Sequence, residues 1–123
     1  MKNEFLIISF VLFFAFSCHK VDNSEIVLDS KVCLGKIKSD TIYPIKIKCK
    51  NFTDHDIQLK ELNITCGCIR SNLPNNTIVH SQDSGIFQFE FLPEGAGYIE
   101  RVVEFYFKDS EYPYRTVISA YLK

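Results

Sequence analysis

The sequence predicts an all-β protein: an antiparallel, immunoglobulin-like β-sandwich of seven or eight strands, preceded by a signal peptide. Three observations carry this prediction. Phe87, Phe89 and Phe91 alternate with Gln88 and Glu90, the period-two pattern of a half-buried strand. Turn-forming residues recur about every eight to twelve residues, the spacing of short strands in a sandwich. Ile, Val, Phe, Tyr and Thr prevail in the second half of the chain while Leu and Ala are sparse, and no amphipathic helical period is visible.

The front of the chain reads as an address. Lys2 and Glu4 open it, and Phe5 to Phe16 is an apolar run broken only by Ser9. As a helix that run is about 18 Å long, short of the ~30 Å core of a bilayer. The length suits the apolar region of a secretion signal. The run closes on Phe14-Ala15-Phe16-Ser17-Cys18. Small residues at Ala15 and Ser17 suit a signal-peptidase pocket, and the cysteine directly after them resembles the bacterial lipobox. There the thiol takes a diacylglyceryl group and a dedicated peptidase cuts before it. The expected division is a lipoprotein signal peptide at 1–17, lipidated Cys18 and a polar tether at 18–24, and the folded domain at 25–123. The expected location is the bacterial cell envelope, lipid-anchored to a membrane, with the outer membrane (periplasmic or surface side) favoured.

Along the folded part, Ile26 to Leu28 and Val32 to Ile37 are short strands, and Lys38 to Thr41 is a turn. Ile45, Ile47 and Cys49 then alternate with Lys46, Lys48 and Lys50, a strand with one lysine face. That face could bind anionic lipid or glycan; protection of an exposed strand from pairing with neighbours is the favoured reading. Asn51 to Asp56 is a polar turn. Ile57 and Leu59 have one parity and Leu62, Ile64, Cys66 and Cys68 the other, which predicts a β-bulge between them. Ser71 to Asn76 is loop, Ile78-Val79 a brief strand and His80 to Gly85 a turn. The Phe-rich strand follows, its three rings expected to face a core opposite residues such as Ile47 and Phe105. After a turn at Pro93 to Gly97, Tyr98 to Phe107 is a long strand with Val103, Phe105 and Phe107 on one face. A turn at Asp109 to Pro113 leads to the last strand, Arg115 to Leu122.

Several of these segments together resemble a known family. They are Val32 to Ile37, the strand-ending Asn51, Thr65-Cys66-Gly67-Cys68, Gly85 leading into Ile86 to Phe91, and Gly97 followed by Arg101 to Phe105. The set resembles the bacterial immunoglobulin-like lipoproteins of "domain of unknown function 1573", over roughly Val32 to Leu122. Cys33 stands where that pattern has an acidic or polar residue, and His80-Ser81 where it has a Pro-Gly turn. The resemblance implies the sandwich fold and the envelope location. It carries no activity and no functional residues.

With 14 basic and 15 acidic residues, the chain has no global field to attract nucleic acid. Phosphate loops, zinc-protease helices, nucleophile elbows and dinucleotide fingerprints are absent. His19, His55 and His80 fall beside the anchor or in turns, and no His oriented by a buried carboxylate is suggested. The chain therefore reads as no enzyme but a lipid-anchored binding or scaffold module. Its partners would be the membrane, through the lipid, and another envelope protein or a glycan. The alternative is a metal-binding or redox protein that uses Cys66 and Cys68. Cu(I) or Zn(II) on this pair is not favoured; a zinc set would have to draw in His80 and Cys49. Packed thiols, or disulfides with Cys33 and Cys49, are the plainer expectation. The two thiols should project from one side of a strand, and a Cys66–Cys68 bond is not expected, because so small a ring strains the preferred torsion of a disulfide. The one group expected on the chain is covalent lipid, palmitate included, on Cys18. Asp40-Thr41-Ile42 resembles a short O-glycosylation signal with Thr41 as acceptor. Asn51, Asn63 and Asn75 match the Asn-x-Thr sequon, which a bacterial lipoprotein would leave unused.

Overall fold

The computed structural model describes residues 25–74 and 76–123. Those residues form nine strands and no helix: β1 (Ile26–Leu28), β2 (Lys31–Ile37), β3 (Tyr43–Asn51), β4 (Ile57–Ile64), β5 (Ile69–Ser71), β6 (Ile78–Val79), β7 (Ser84–Phe91), β8 (Gly97–Phe107) and β9 (Tyr114–Leu122). A four-stranded sheet ordered β1-β3-β7-β5 packs on a five-stranded sheet ordered β2-β9-β8-β4-β6. The all-β sandwich is as expected. The strand count exceeds seven or eight because Ile69–Ser71 is a strand of its own, too short to show an alternation.

Alternation builds the core. Ile45, Ile47 and Cys49 of β3 and Phe87, Phe89 and Phe91 of β7 are all buried. From the other sheet Val103, Phe105 and Phe107 of β8 and Ile118, Ala120 and Leu122 of β9 meet them. Phe105 is central: its ring lies 5.2 Å from that of Phe87 and 6.0 Å, edge to face, from that of Phe89. The expected opposition of Phe89 to Phe105 holds, but Ile47 is the cross-strand partner of Phe87, and Phe89 sits opposite Ile45.

One expectation is corrected. The sandwich is not wholly antiparallel, because β2 runs parallel to β9. The chain leaves β1 at Asp29 and Ser30 and changes sheets there. Asp29 donates its N–H to Lys48 O at 3.0 Å, and Ser30 O accepts from Val117 N at 2.9 Å. Hydrophobic alternation encodes which face is buried and says nothing about a neighbour's direction. Along β3, β1 pairs with Cys49–Asn51 only, and β7 pairs along Tyr43–Lys50 on the other side. Lys46, Lys48 and Lys50 are exposed on the outward face.

The bulge predicted in β4 is present: the register against β8 shifts between Leu59 and Glu61. A second shift, in β2 between Cys33 and Lys36, contains Gly35 at φ 72°, a left-handed conformation that glycine adopts without steric cost. At Gly85 a side chain would be crowded, because an added Cβ would stand 3.2 Å from Val79 Cγ2 where β7 passes β6.

Candidate functional site

The chain passes from the five-stranded sheet to the four-stranded one through Thr65-Cys66-Gly67-Cys68, between β4 and β5. Cys66 and Cys68 are joined by a disulfide, with their Cα atoms 5.2 Å apart. This corrects the expectation of no bond, and the cause is local geometry. Same-side projection of residues two apart holds within a strand, and β4 ends at Ile64. Residues 65–68 bend and turn, and the Cα separation becomes one that a disulfide spans. Backbone hydrogen bonds hold both flanks. Thr65 N donates to Val102 O at 3.4 Å, and Leu92 N to Cys68 O at 2.8 Å. Both cysteines are half-buried against the core, while Gly67 between them is exposed. Cys68 shares a recess of about 50 Å³ with Ile42, Arg70, Glu90 and Leu92.

The other two described cysteines are free, so neither disulfide to Cys33 nor disulfide to Cys49 forms. Cys49 has no exposed surface, and its thiol is pushed up to about 11, first by burial and then by the Asp29 carboxylate. At neutral pH it is an inert core group. Cys33 is exposed on β2. The zinc set considered from sequence is not assembled, and among the described residues no three metal-capable side chains converge.

The opposite end of the sandwich is held by Asn51, whose role the sequence reading missed. Its buried carboxamide donates to His55 O and to Val79 O, both at 2.9 Å. Its Oδ1 accepts from Thr53 N at 2.9 Å and from Thr53 Oγ1 at 2.6 Å. An Asn that closes an alternating strand, with Thr two residues on, was the available signal for a side chain that substitutes for backbone in a turn. The network also seals the first sequon, because both amide hydrogens are engaged. Asn63 is exposed and donates to Glu104 Oε1 at 2.8 Å.

Two His–Asp pairs lie beside this hub: His55 Nδ1 with Asp54 at 3.1 Å, and His80 Nδ1 with Asp56 at 3.0 Å. Asp54 is held below the usual carboxylate range, chiefly by His55. Asp56 is lowered first by the Ser81 backbone N–H and then by His80. Both carboxylates are exposed, unlike the buried carboxylate that orients a catalytic histidine. The Ser81 hydroxyl donates to Thr53 O at 2.6 Å and so caps the loop.

Thr41 is exposed directly after a turn in which Asp40 has φ 61°, and Ile42 beside it is 58% exposed. Cys18 lies outside the described residues. On the outer face of the five-stranded sheet, Tyr98 and Tyr121 are cross-strand partners, 60% and 53% exposed, with Lys36 next in the row. The four-stranded sheet carries a shallow groove of about 350 Å³ between Lys46, Ile86, Gln88 and Leu73.

The same fold recurs in solved structures. A protein of unknown function from Porphyromonas gingivalis W83 superposes with a TM-score of 0.67 at 16% identity, over 79% of this chain and 46% of that one. PapD-like domain 7 of human CEP192 gives 0.62 at 13% identity, over 92% and 95% of the two chains. The VesB protease of Vibrio cholerae gives 0.61 at 9% identity, over 80% of this chain and 31% of its own. The chain thus spans less than half of the first and about a third of the last, and at such identities the likeness is one of fold. No curated protein matches significantly. The sequence profile of one family matches residues 26–122, from β1 to the end of β9. By that match the chain belongs to the family described as "Protein of unknown function (DUF1573)".

Proposed function

We propose that the chain is a lipid-anchored lipoprotein of the bacterial envelope whose sandwich is a non-catalytic binding or scaffold module, engaging an envelope protein along β2. The observation that carries the binding reading is the one-sided pairing of β2. It stands at the border of the five-stranded sheet, bonded to β9 alone among the described strands. Ser30 O faces β9, so by alternation the backbone groups of Lys31 and Cys33 face away from it. An extended segment of a partner adds there by main-chain hydrogen bonds. Exposed Tyr121, the neighbour of Lys36 on β9, adds aromatic surface beside β2. The Gly35 bulge and Lys36 interrupt the border further on, which disfavours indiscriminate pairing between copies.

The anchored reading is supported by where the family match begins, at residue 26, a short polar tether after Cys18. At no more than ~3.5 Å per residue, that tether keeps the domain within about 30 Å of the acylated cysteine. The non-catalytic reading is supported by the exposed carboxylates of both His–Asp pairs and by the capping role of Ser81. Thr41 remains a proposed acceptor for O-linked sugar, since its turn presents the hydroxyl to solvent.

The test is site-specific photocrosslinking in intact envelopes, with the probe at Lys36. A discrete crosslinked species is expected, and it should disappear in Cys33→Pro, which removes an outward N–H while leaving the ladder to β9 intact. A species that persists unchanged in Cys33→Pro would exclude strand addition. Cys18→Ala tests the anchor: an uncleaved precursor or a soluble domain is expected, and unchanged processing and membrane partition would refute lipidation.

A further inference from the structure

We propose that the Cys66–Cys68 disulfide is a thiol–disulfide exchange site that accepts two electrons from a protein or peptide dithiol. The bond does little for the fold. Loop-closure stabilisation grows with the length of chain enclosed, and this bond encloses a single residue. The turn has other ties as well. Thr65 is tied to Val102 and Cys68 to Leu92 by backbone hydrogen bonds that do not involve the sulfurs. Part of the ring also faces solvent. Gly67 is exposed, and a Cβ added there would meet no atom within 4 Å. Buried Cys49 and distant-strand Cys33 are unbonded, so among the described residues this is the one disulfide that can take up electrons.

Arg70 lines the recess that holds Cys68, with Glu90 its cross-strand partner on β7. The partner's thiolate attacks one sulfur of the ring, Cys66 Sγ for example. A partner–Cys66 bond forms, the Cys66–Cys68 bond breaks, and the electron pair leaves on Cys68 Sγ, which takes a proton from water. The partner's second thiol loses its proton to water and attacks its own sulfur in the mixed disulfide, and the Cys66 thiolate is expelled and protonated. The partner ends as a disulfide and the site as two thiols.

The site lies away from β2, so its failure leaves the binding reading untouched. The experiment uses the full chain and a synthetic dithiol peptide, with thiols read by alkylation and mass spectrometry. The folded chain should oxidise the peptide about tenfold faster than a free Cys-Gly-Cys disulfide peptide does, and remain folded by circular dichroism. Cys66→Ser and Cys68→Ser, each lacking the ring disulfide, should both lose the oxidation of the peptide dithiol. A ring that stays oxidised until the chain unfolds, or a rate no greater than the free peptide's, would overturn the proposal. Should either serine variant fail to fold, the wild-type rate alone decides.

Discussion

Asn51 and the Cys66–Cys68 ring occupy opposite ends of the sandwich. β7 starts beside Lys50 and ends at Phe91, next to β5 and Cys68. Each end carries a turn that leaves a core strand, and each turn has to accommodate polar or reactive atoms at the border of an apolar interior. At Asn51 the solution is a wholly buried carboxamide with every donor and acceptor used. No buried side-chain nitrogen or oxygen among the described residues is left without a partner. At the other end a covalent bond joins two half-buried sulfurs around an exposed glycine. A hydrogen-bonded hub resists reagents and fails on substitution. A small disulfide ring resists substitution and responds to reagents. The first arrangement specifies structure, and the second is where chemistry can occur.

The largest expected effect is at the hub. Asn51→Ala removes the donor to Val79 O and the acceptor of Thr53 N, while His55 O keeps the Thr53 hydroxyl at 2.8 Å. An unsatisfied buried polar group costs about 1–3 kcal/mol, so the variant should lose about 2–5 kcal/mol in chemical denaturation. A loss below about 1 kcal/mol would mean that the loop is ordered by other contacts and that the contrast between the two ends is false.

The second effect is smaller. The chain-entropy relation assigns about 1.6 kcal/mol to a three-residue loop, against about 3 for one of fifteen residues. Replacing Cys66 and Cys68 together by serine should therefore cost about 1–2 kcal/mol and preserve a cooperative transition. A loss as large as that of Asn51→Ala would make the bond a structural staple and remove the motive for exchange chemistry.

These two ends also mark what the sequence could disclose. The sandwich was legible because burial imposes a period of two, and Phe87-Phe89-Phe91 and Ile45-Ile47-Cys49 obey it without exception. The β4 bulge was legible for the same reason, as a change of parity. The parallel β2–β9 pair was not, since pairing direction leaves no trace in alternation. The Cys66–Cys68 bond was missed because the strand parity was carried past Ile64 into a turn. Asn51 was read as a strand end and a sequon, because a single polar residue shows its burial only once β6 is placed over it through Val79. Cys18 rests on sequence alone.

The smallest expected effect separates charge from hydrogen bonding around the hub. Asp56 accepts from the Ser81 backbone N–H at 2.9 Å and pairs with His80, and both hold its carboxyl below the ordinary range. A carboxyl whose folded-state pKa is depressed contributes stability above its unfolded pKa, about 3.9. That contribution fades as pH falls through the lower folded value, once both states bind the proton. Asp56→Asn keeps an oxygen for Ser81 and removes the charge. The variant should melt slightly below wild type at neutral pH, and the gap should close as pH falls below about 4. Because the carboxylate is exposed, added salt should shrink the gap as well. Melting temperatures across that acid range, at low and high salt, make the measurement. A gap that stays constant to the lowest pH would place the contribution of Asp56 in its geometry rather than its charge. The turn would then be held by neutral hydrogen bonds throughout, as at Asn51.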